Sequence, residues 1–214
     1  ADGITVHLRK DRRHINDRDV RLLREAATVK LNLEMSMDEE IVAIAEQVRP
    51  DQATLVPEGR QEITTEGGLD VLSSMPRLKE VTRRLHAVGV TVSVFVDPQP
   101  RAVHAAREAG CDAVEIHTGR YANACLPRNG GRETVQKQRN ELDAVRSALD
   151  SGLQSGLVVH AGHGLTYNNV TPVASIPGFT EFNIGHSIVS RSVFTGLRSA
   201  VAEMKRLIER PYEM

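Results

Sequence analysis

Apolar and polar residues alternate along several short segments of the chain. Because successive side chains of a β-strand point to opposite faces, this alternation predicts strands with one apolar and one polar face. The polar faces carry ionisable residues, among them His7, Arg9, Glu34 and Glu115. Four segments show the pattern, with apolar faces made by Ile4, Val6 and Leu8, by Leu31, Leu33 and Met35, by Val92, Val94 and Val96, and by Val114 and Ile116.

One unit recurs along the chain: a short apolar strand, a polar or glycine-rich loop, and an amphipathic helix. Apolar residues three and four apart predict helices over Leu69–Val88 and over Val193–Ile208. A further helix is predicted near Arg18–Ala26 with Asp17 as its N-cap. The predicted strands are Gly3–Arg9, Lys30–Met35, Thr54–Pro57, Thr91–Asp97, Ala113–Thr118, Leu157–His163 and Glu181–Gly185.

Strands that alternate with helices form a parallel sheet, which is either doubly wound or closed into a barrel. A single alternating strand is also typical of the half-solvated edge of an antiparallel sheet. Four such strands, each leading into a helix, favour an α/β TIM (β/α)8 barrel whose apolar faces meet the helices and whose polar faces line the lumen. We therefore expect one barrel domain over residues 1–214. Seven strands are found where eight are expected, so the first β/α unit is interpreted as missing from the N-terminus.

Composition limits the possible functions. Aromatic residues make up 3% of the chain and the formal net charge is −1, which argues against nucleic-acid binding by base stacking or by a polyanion-binding surface. No apolar run approaches the roughly 20 residues that span a bilayer. Cys111 and Cys125 are too few for a disulfide framework, so we expect a reducing, cytoplasmic location.

The ionisable residues lie near strand ends, where barrels of this class hold their active sites. His7 and Arg9 are two apart on one strand and so point the same way, and arginine can bind phosphate through two hydrogen bonds. Glu34 ends an apolar strand among other ionisable groups, which favours a raised pKa and a role as general base, the alternative being an ion pair with Lys30 or Arg9. Glu115 occupies the same kind of position.

Two further regions favour ligand binding. The segment 57–70 is too long for a tight turn and is interpreted as a substrate-facing loop in which Thr64 can donate a hydrogen bond to an oxyanion, or as a plain surface loop. His163-Gly164 and Gly185-His186 end the last two strands, where backbone N–H groups of such barrels commonly hold a phosphate. No nucleotide-binding or HExxH motif occurs, and the inward histidines lack short ligand spacing, so we expect no metal.

With HLRKDRRH (7–14), LNLEM (31–35), LVPEGRQEITTEGGLDV (55–71), VEIHTGRYA (114–122), AGHGLTYNNV (161–170) and EFNIGHSIVSRSVFTGL (181–197) in this order, the chain resembles the pyridoxine 5'-phosphate synthase family. The resemblance covers essentially the whole chain. It implies a (β/α)8 barrel with extra helices, an octamer built from dimers, and no cofactor. The implied reaction joins 3-amino-2-oxopropyl phosphate to 1-deoxy-D-xylulose 5-phosphate and gives pyridoxine 5'-phosphate, phosphate and water.

The resemblance also implies roles for single residues. His7 and Glu34 match the two general bases of the family, His163 matches its proton donor, and Glu115 matches a carboxylate that stabilises the transition state. Such proton transfers at neutral pH favour histidines near their ordinary pKa of about 6.5. Contacts to the deoxyxylulose phosphate are implied for Arg9, His14 and Thr64, and contacts to the amino-oxopropyl phosphate for Gly164, Gly185 and His186.

Two features depart from the family pattern. Its first strand, with an Asn-x-Asp-His motif, and the arginine that follows are absent, and the stretch Cys125 to Arg132 is longer than expected. Two other functions remain open. A sugar-phosphate isomerase or aldolase would also use such a barrel, although Lys30, the inward candidate for a Schiff base, begins its strand far from the mouth. A carrier of phosphorylated vitamers would need the phosphate site without the acid–base residues.

Overall fold

The structure is a computed structural model that describes residues 1–58, 67–126 and 132–209. Seven parallel strands pair in chain order in one sheet that curls into a nearly closed barrel. The α/β barrel class expected from the sequence is thus confirmed. The strands are β1 (Gly3–Leu8), β2 (Lys30–Met35), β3 (Gln52–Leu55), β4 (Thr91–Val96), β5 (Ala113–His117), β6 (Val158–Gly162) and β7 (Glu181–Asn183).

Helices follow the strands and cover the outside of the sheet. The predicted first helix begins at Asp17, but its N-cap is Asn16, whose side chain accepts from the backbone of Arg18 and Asp19. The prediction of Asp17 as the cap is therefore wrong by one residue. The helices are α1 (Asp17–Ala26), α2 (Glu39–Val48), α3 (Met75–Ala87), α4 (Pro100–Glu108), α5 (Gly119–Ala124), α6 (Arg132–Gln154), α7 (Val170–Ala174), α8 (His186–Thr195) and α9 (Leu197–Glu209).

The C-terminal helix predicted from one apolar repeat is two helices. The chain breaks between α8 and α9 at Gly196, whose φ of 79° is a left-handed conformation that glycine adopts without strain. The break turns the apolar side of α8 away from the core, and Val193 and Phe194 are exposed. Periodicity correctly identified an apolar face here, but not the surface that the face contacts.

The two faces of the sheet separate apolar from polar residues as the alternation predicted. Outward side chains such as Leu33, Val94 and Ile116 are fully buried under the helices. Inward polar side chains form a hydrogen-bonded network in which Gln52 donates to Asn32 at 3.2 Å and Thr54 donates to Asn32 at 2.9 Å. A buried polar group that is fully hydrogen-bonded avoids the cost of desolvation. The lumen is therefore a packed polar core.

Side chains also connect the two ends of the sheet across the lumen. Thr5 on β1 donates to Asn183 on β7 at 2.8 Å, and Lys30 on β2 lies 2.7 Å from Glu181 on β7. Within the described residues, the backbone ladder does not pair β7 with β1. The expected additional strand would lie at this position.

Candidate active site

His7 and Glu34 lie side by side at the mouth of the barrel. Parallel pairing of β1 with β2 places the two residues in register, and His7 Nδ1 lies 3.8 Å from Glu34 Oε2. The alternative that Glu34 pairs with Lys30 is wrong, because Lys30 pairs with Glu181. A histidine and a carboxylate therefore converge from neighbouring strands on the same space.

The surroundings shift the pKa values of these two groups in opposite directions. Burial, followed by the positive charges of Arg9 and His14, lowers the pKa of His7 to about 4. Burial raises the pKa of Glu34 to about 7, as expected from the sequence, although 26% of its side chain is exposed. His7 is consequently neutral near pH 7, and its pKa lies below the ordinary histidine value of 6.5. The two groups form a neutral base beside a carboxyl group that is half ionised.

Glu115 lies deeper in the lumen and is 2% exposed. Its Oε2 accepts a 2.8 Å hydrogen bond from Asn183 Nδ2, and a Cβ on Gly162 would overlap its Oε1. Burial, followed by the charge of Glu34, raises the pKa of Glu115 well above its usual range. The carboxyl group is therefore held in one position, in an environment that favours its neutral form.

His163 stands on a tight turn after β6. Its φ is 74°, which strains any residue other than glycine, and the following Gly164 has a φ of 80°. Thr118 Oγ1 lies 2.7 Å from the carbonyl oxygen of Gly162 and 2.6 Å from that of His163, so its proton can bond to either. Asn169 Nδ2 donates to the Gly164 carbonyl at 3.2 Å. These side chains stabilise the strained turn.

Gly164 is required for two reasons that the sequence did not reveal. Its backbone is left-handed, and a Cβ would lie 2.7 Å from the Cβ of Ala122 on α5. Gly185 differs, since a Cβ there would meet no atom within 4 Å. Its position at the start of α8 leaves backbone N–H groups without helical partners beside open space.

The ends of β6 and β7 meet, as the sequence predicted. Ser187 Oγ donates to the Leu165 carbonyl at 2.9 Å, which ties the first turn of α8 to the loop after β6. The positive charge of His186 contributes, after burial and the charge of His117, to lowering the pKa of His163. His163, Gly164, Gly185 and His186 are thus brought to one region of the mouth.

Arg9 and His14 lie on the other side, at the end of β1. Arg9 is buried and its Nε lies 3.7 Å from Glu58 Oε1, a carboxylate that also accepts from the backbone of Lys10 at 2.7 Å. Glu58 was not anticipated, although it follows β3 at the mouth as the barrel requires. His14 is exposed, and its charge acts on His7. Thr64 lies outside the described residues.

Sequence reasoning missed three residues beside the predicted ones. Asn183 bridges Glu115 and Thr5, and its place two residues before the glycine after β7 was the available signal. His117 contacts His163, and its position on the polar face of β5 was visible in the alternation. His160 is buried beside Glu115 in the β5–β6 register, and burial lowers its pKa to about 4.

Two features are absent from the described residues 1–58, 67–126 and 132–209. No group of three or more histidine, cysteine, aspartate or glutamate side chains is placed to hold a metal ion. No helix there is long and apolar enough to cross a membrane.

Comparison with known proteins identifies the family of this chain. The family model described as pyridoxal phosphate biosynthesis protein PdxJ matches residues 1–210. Pyridoxine 5'-phosphate synthase of Trichlorobacter lovleyi is 52% identical over 99% of this chain and 85% of the relative, and that of a Synechococcus species is 56% identical over 96% and 83%. A crystal structure of the Amycolatopsis orientalis BexX/CysO complex shares the fold, with a TM-score of 0.61 at 16% identity over all of this chain and 84% of that one. The chain therefore belongs to the PdxJ family of pyridoxal phosphate biosynthesis proteins.

Proposed function

We propose that this protein is a pyridoxine 5'-phosphate synthase that condenses 3-amino-2-oxopropyl phosphate with 1-deoxy-D-xylulose 5-phosphate to pyridoxine 5'-phosphate, phosphate and water. The relatives that carry this activity in their names are about half identical to the chain over nearly all of its length. The observation that carries the proposal is the pairing of His7 with Glu34, 3.8 Å apart at the mouth of the barrel, with Glu115 and His163 in the same lumen.

These four side chains suit a reaction in which protons move repeatedly on and off carbon, nitrogen and oxygen. A general base is most effective when its pKa is close to the working pH, as it is for Glu34. His7 is neutral near pH 7 and can accept a second proton. We assign both as general bases and His163 as the proton donor, and this chemistry needs neither a metal nor an organic cofactor.

Glu115 takes a role that follows from its buried position. Burial raises the pKa of Glu115 well above its usual range, which favours the neutral carboxyl group, and a neutral carboxyl group can donate a hydrogen bond. Its Oε2 accepts from Asn183, which fixes the carboxyl group in the lumen. Such a donor stabilises negative charge that develops on a substrate oxygen in the transition state.

The two phosphate groups fit two separate parts of the mouth. The amino-oxopropyl phosphate is assigned to Gly164, Gly185 and His186, where the N-terminus of α8 offers unpaired N–H groups. The deoxyxylulose phosphate is assigned to Arg9 and His14, together with Thr64. Glu58 beside Arg9 holds the guanidinium in place before the substrate arrives.

The alternative functions fit the site less well. A Schiff-base aldolase needs a lysine near the mouth, whereas Lys30 is hydrogen-bonded to Gln52 and Glu181 at the opposite end of the lumen. A carrier would have no need of a base whose pKa is raised to about 7.

A homo-oligomer, an octamer built from dimers, and a cytoplasmic location belong to the same proposal. The exposed apolar side of α8 supports the oligomer, since Val193 and Phe194 are 78% and 87% exposed. Light scattering on the eluting protein should give a mass well above that of one chain, and Phe194→Ser should reduce it. A wild-type protein that elutes as a monomer at micromolar concentration would contradict the oligomer.

The activity is tested by mixing both phosphorylated substrates with the purified protein and following pyridoxine 5'-phosphate by absorbance and mass. Glu34→Gln and His163→Asn should each reduce kcat by about a hundredfold or more. His104→Asn is the matched control, because His104 bonds to two serines on the outer surface between α4 and α6. Product formation that survives both site variants would overturn the assigned roles, and a wild-type protein without product would favour the carrier.

A further inference from the structure

Three consecutive residues at the end of β5, His117, Thr118 and Gly119, contact His163 and its turn. The ring of His117 packs edge-on against the ring of His163, with 4.8 Å between ring centroids and 69° between ring planes. Thr118 bonds to the backbone of the turn. A Cβ on Gly119 would overlap His117 Nε2 and lie 3.0 Å from His163 Cδ2, so only glycine lets both rings take these positions.

His117 is itself fixed from the other side. Its Nδ1 lies 3.1 Å from Asp97 Oδ1 at the end of β4, and the same oxygen accepts from the backbone N–H of Gly68 at 3.1 Å. An ionised carboxylate can only accept hydrogen bonds, so in this contact the proton of the neutral ring is on Nδ1. Phe95 completes the enclosure, with its ring centroid 5.0 Å from that of His117.

The remaining nitrogen of His117 is left as a buried acceptor. His117 is 3% exposed, and its Nε2 has no hydrogen-bond partner among residues 1–58, 67–126 and 132–209. This edge of the ring faces Gly119 and, across it, His163. An unpaired buried acceptor costs free energy, and its retention beside an imidazole that must gain and lose protons suggests a function.

We propose that His117, oriented by Asp97, is a positioning residue that sets the ring orientation and the protonation of His163. This inference rests on the proposed function, in which His163 donates a proton. Two imidazolium rings 4.8 Å apart repel each other, so protonation of one ring disfavours protonation of the other. The negative charge of Asp97 favours protonation of His117, on which it acts directly.

The charged groups around the pair come from three elements. Asp97 follows β4 and contacts His117, Arg120 on α5 opposes protonation of His117, and His186 on α8 opposes protonation of His163. Burial lowers the pKa of both histidines. His117 therefore lowers the pKa of His163 in two ways, since its ring excludes water and any charge it carries repels a second proton.

His117→Asn tests the proposal, because the Asn amide can keep the hydrogen bond to Asp97 while the ring is lost. In protein labelled with ¹⁵N-histidine, the titration midpoint of His163, assigned with His163→Asn, should move to higher pH in this variant. The kcat should fall about ten- to a hundredfold with both KM values unchanged, and the alkaline limb of the kcat profile should move to higher pH. A His163 midpoint and a kcat profile that match the wild type would overturn the proposal.

Asp97 variants separate its charge from its hydrogen bond. Asp97→Asn keeps an oxygen acceptor and should preserve the Nδ1–H form of His117, whereas Asp97→Ala should give a mixture of both tautomers in the ¹⁵N spectrum. An unchanged His117 spectrum in Asp97→Ala would contradict the orienting role. His86→Asn is the control. It also removes a histidine bound to an aspartate, Asp112, but this pair lies on the outer surface. The titration midpoint of His163 should therefore stay unchanged.

Failure of this inference is distinguishable from failure of the proposed function. The titration of His163 needs no substrate, so it reports on the ring pair alone. If the wild-type protein makes product and the variants leave the titration midpoint of His163 unchanged, only the inference is overturned. A wild-type protein that makes no product overturns the proposed function, whatever the titration shows.

Discussion

Replacing Glu34 by glutamine should make the protein inactive and, at alkaline pH, more stable. Burial raises the pKa of Glu34 from 4.5 to about 7, so the folded state binds its proton more tightly than the unfolded state. Such a group stabilises the fold at low pH, and its contribution is lost as pH rises toward 7. Glutamine has the shape of the protonated carboxyl group and no charge to desolvate.

The size of the effect follows from the pKa values. Each pKa unit corresponds to about 1.4 kcal/mol, so ionisation of Glu34 costs the folded state about 3 kcal/mol in full. Most of this cost develops between pH 5 and pH 8. The free energy of unfolding of Glu34→Gln, relative to the wild type, should therefore increase by about 2–3 kcal/mol between these two pH values.

Urea unfolding at pH 5 and pH 8 measures this difference, because titration of other groups largely cancels between wild type and variant. Glu115 is the exception, since the charge of Glu34 raises its pKa. The comparison is therefore repeated with Glu115→Gln in both proteins. The same substitution at Glu25, an exposed residue of α1, is the control. If the free energy of unfolding of Glu34→Gln differs from that of the wild type by the same amount at pH 5 and pH 8, the argument that Glu34 is a desolvated base is refuted.

Three further predictions concern two residues that contact Glu115 and the N-cap of α1. Gly162→Ala places a methyl group against Glu115 and should cost about 1–3 kcal/mol of stability and lower kcat, as thermal unfolding and initial rates measure; equal kcat in both proteins would contradict the close contact. Asn183→Ala removes the donor to Glu115, so the pKa of Glu115 should rise further and stability should fall by about 1–3 kcal/mol; NMR titration of the labelled carboxyl group would show no rise if the hydrogen bond were unimportant. Asn16→Ala removes the N-cap of α1 and should cost about 1 kcal/mol in urea unfolding without changing kcat, whereas a reduced kcat would connect α1 to the site.

The alternation of polar and apolar residues was enough to predict the barrel and to place the candidate site residues on its polar face. The side chain period of a strand is two, so a residue such as Glu34 or Glu115 is assigned to the lumen by counting alone. Parallel register then brings His7 beside Glu34 without further information. For these residues local pattern and tertiary structure agree.

The other features of the candidate site depend on contacts between distant parts of the chain, which no local pattern encodes. The pairing of Arg9 with Glu58, and of His117 with Asp97, joins different strands of the barrel. The left-handed backbone of His163 was hidden because histidine rarely adopts it, and the flanking glycines suggested ligand approach instead of strain. The lowered pKa of His7 likewise follows from burial, which composition does not report.

Isotope tracing tests the proposed reaction most directly. The purified protein is given 3-amino-2-oxopropyl phosphate labelled with ¹⁵N and 1-deoxy-D-xylulose 5-phosphate labelled with ¹³C, and the products are separated and weighed by mass spectrometry. We expect one pyridoxine 5'-phosphate that carries both labels, formed by the wild type and reduced about a hundredfold or more in Glu34→Gln. The absence of any doubly labelled product with the wild-type protein would contradict the proposed function.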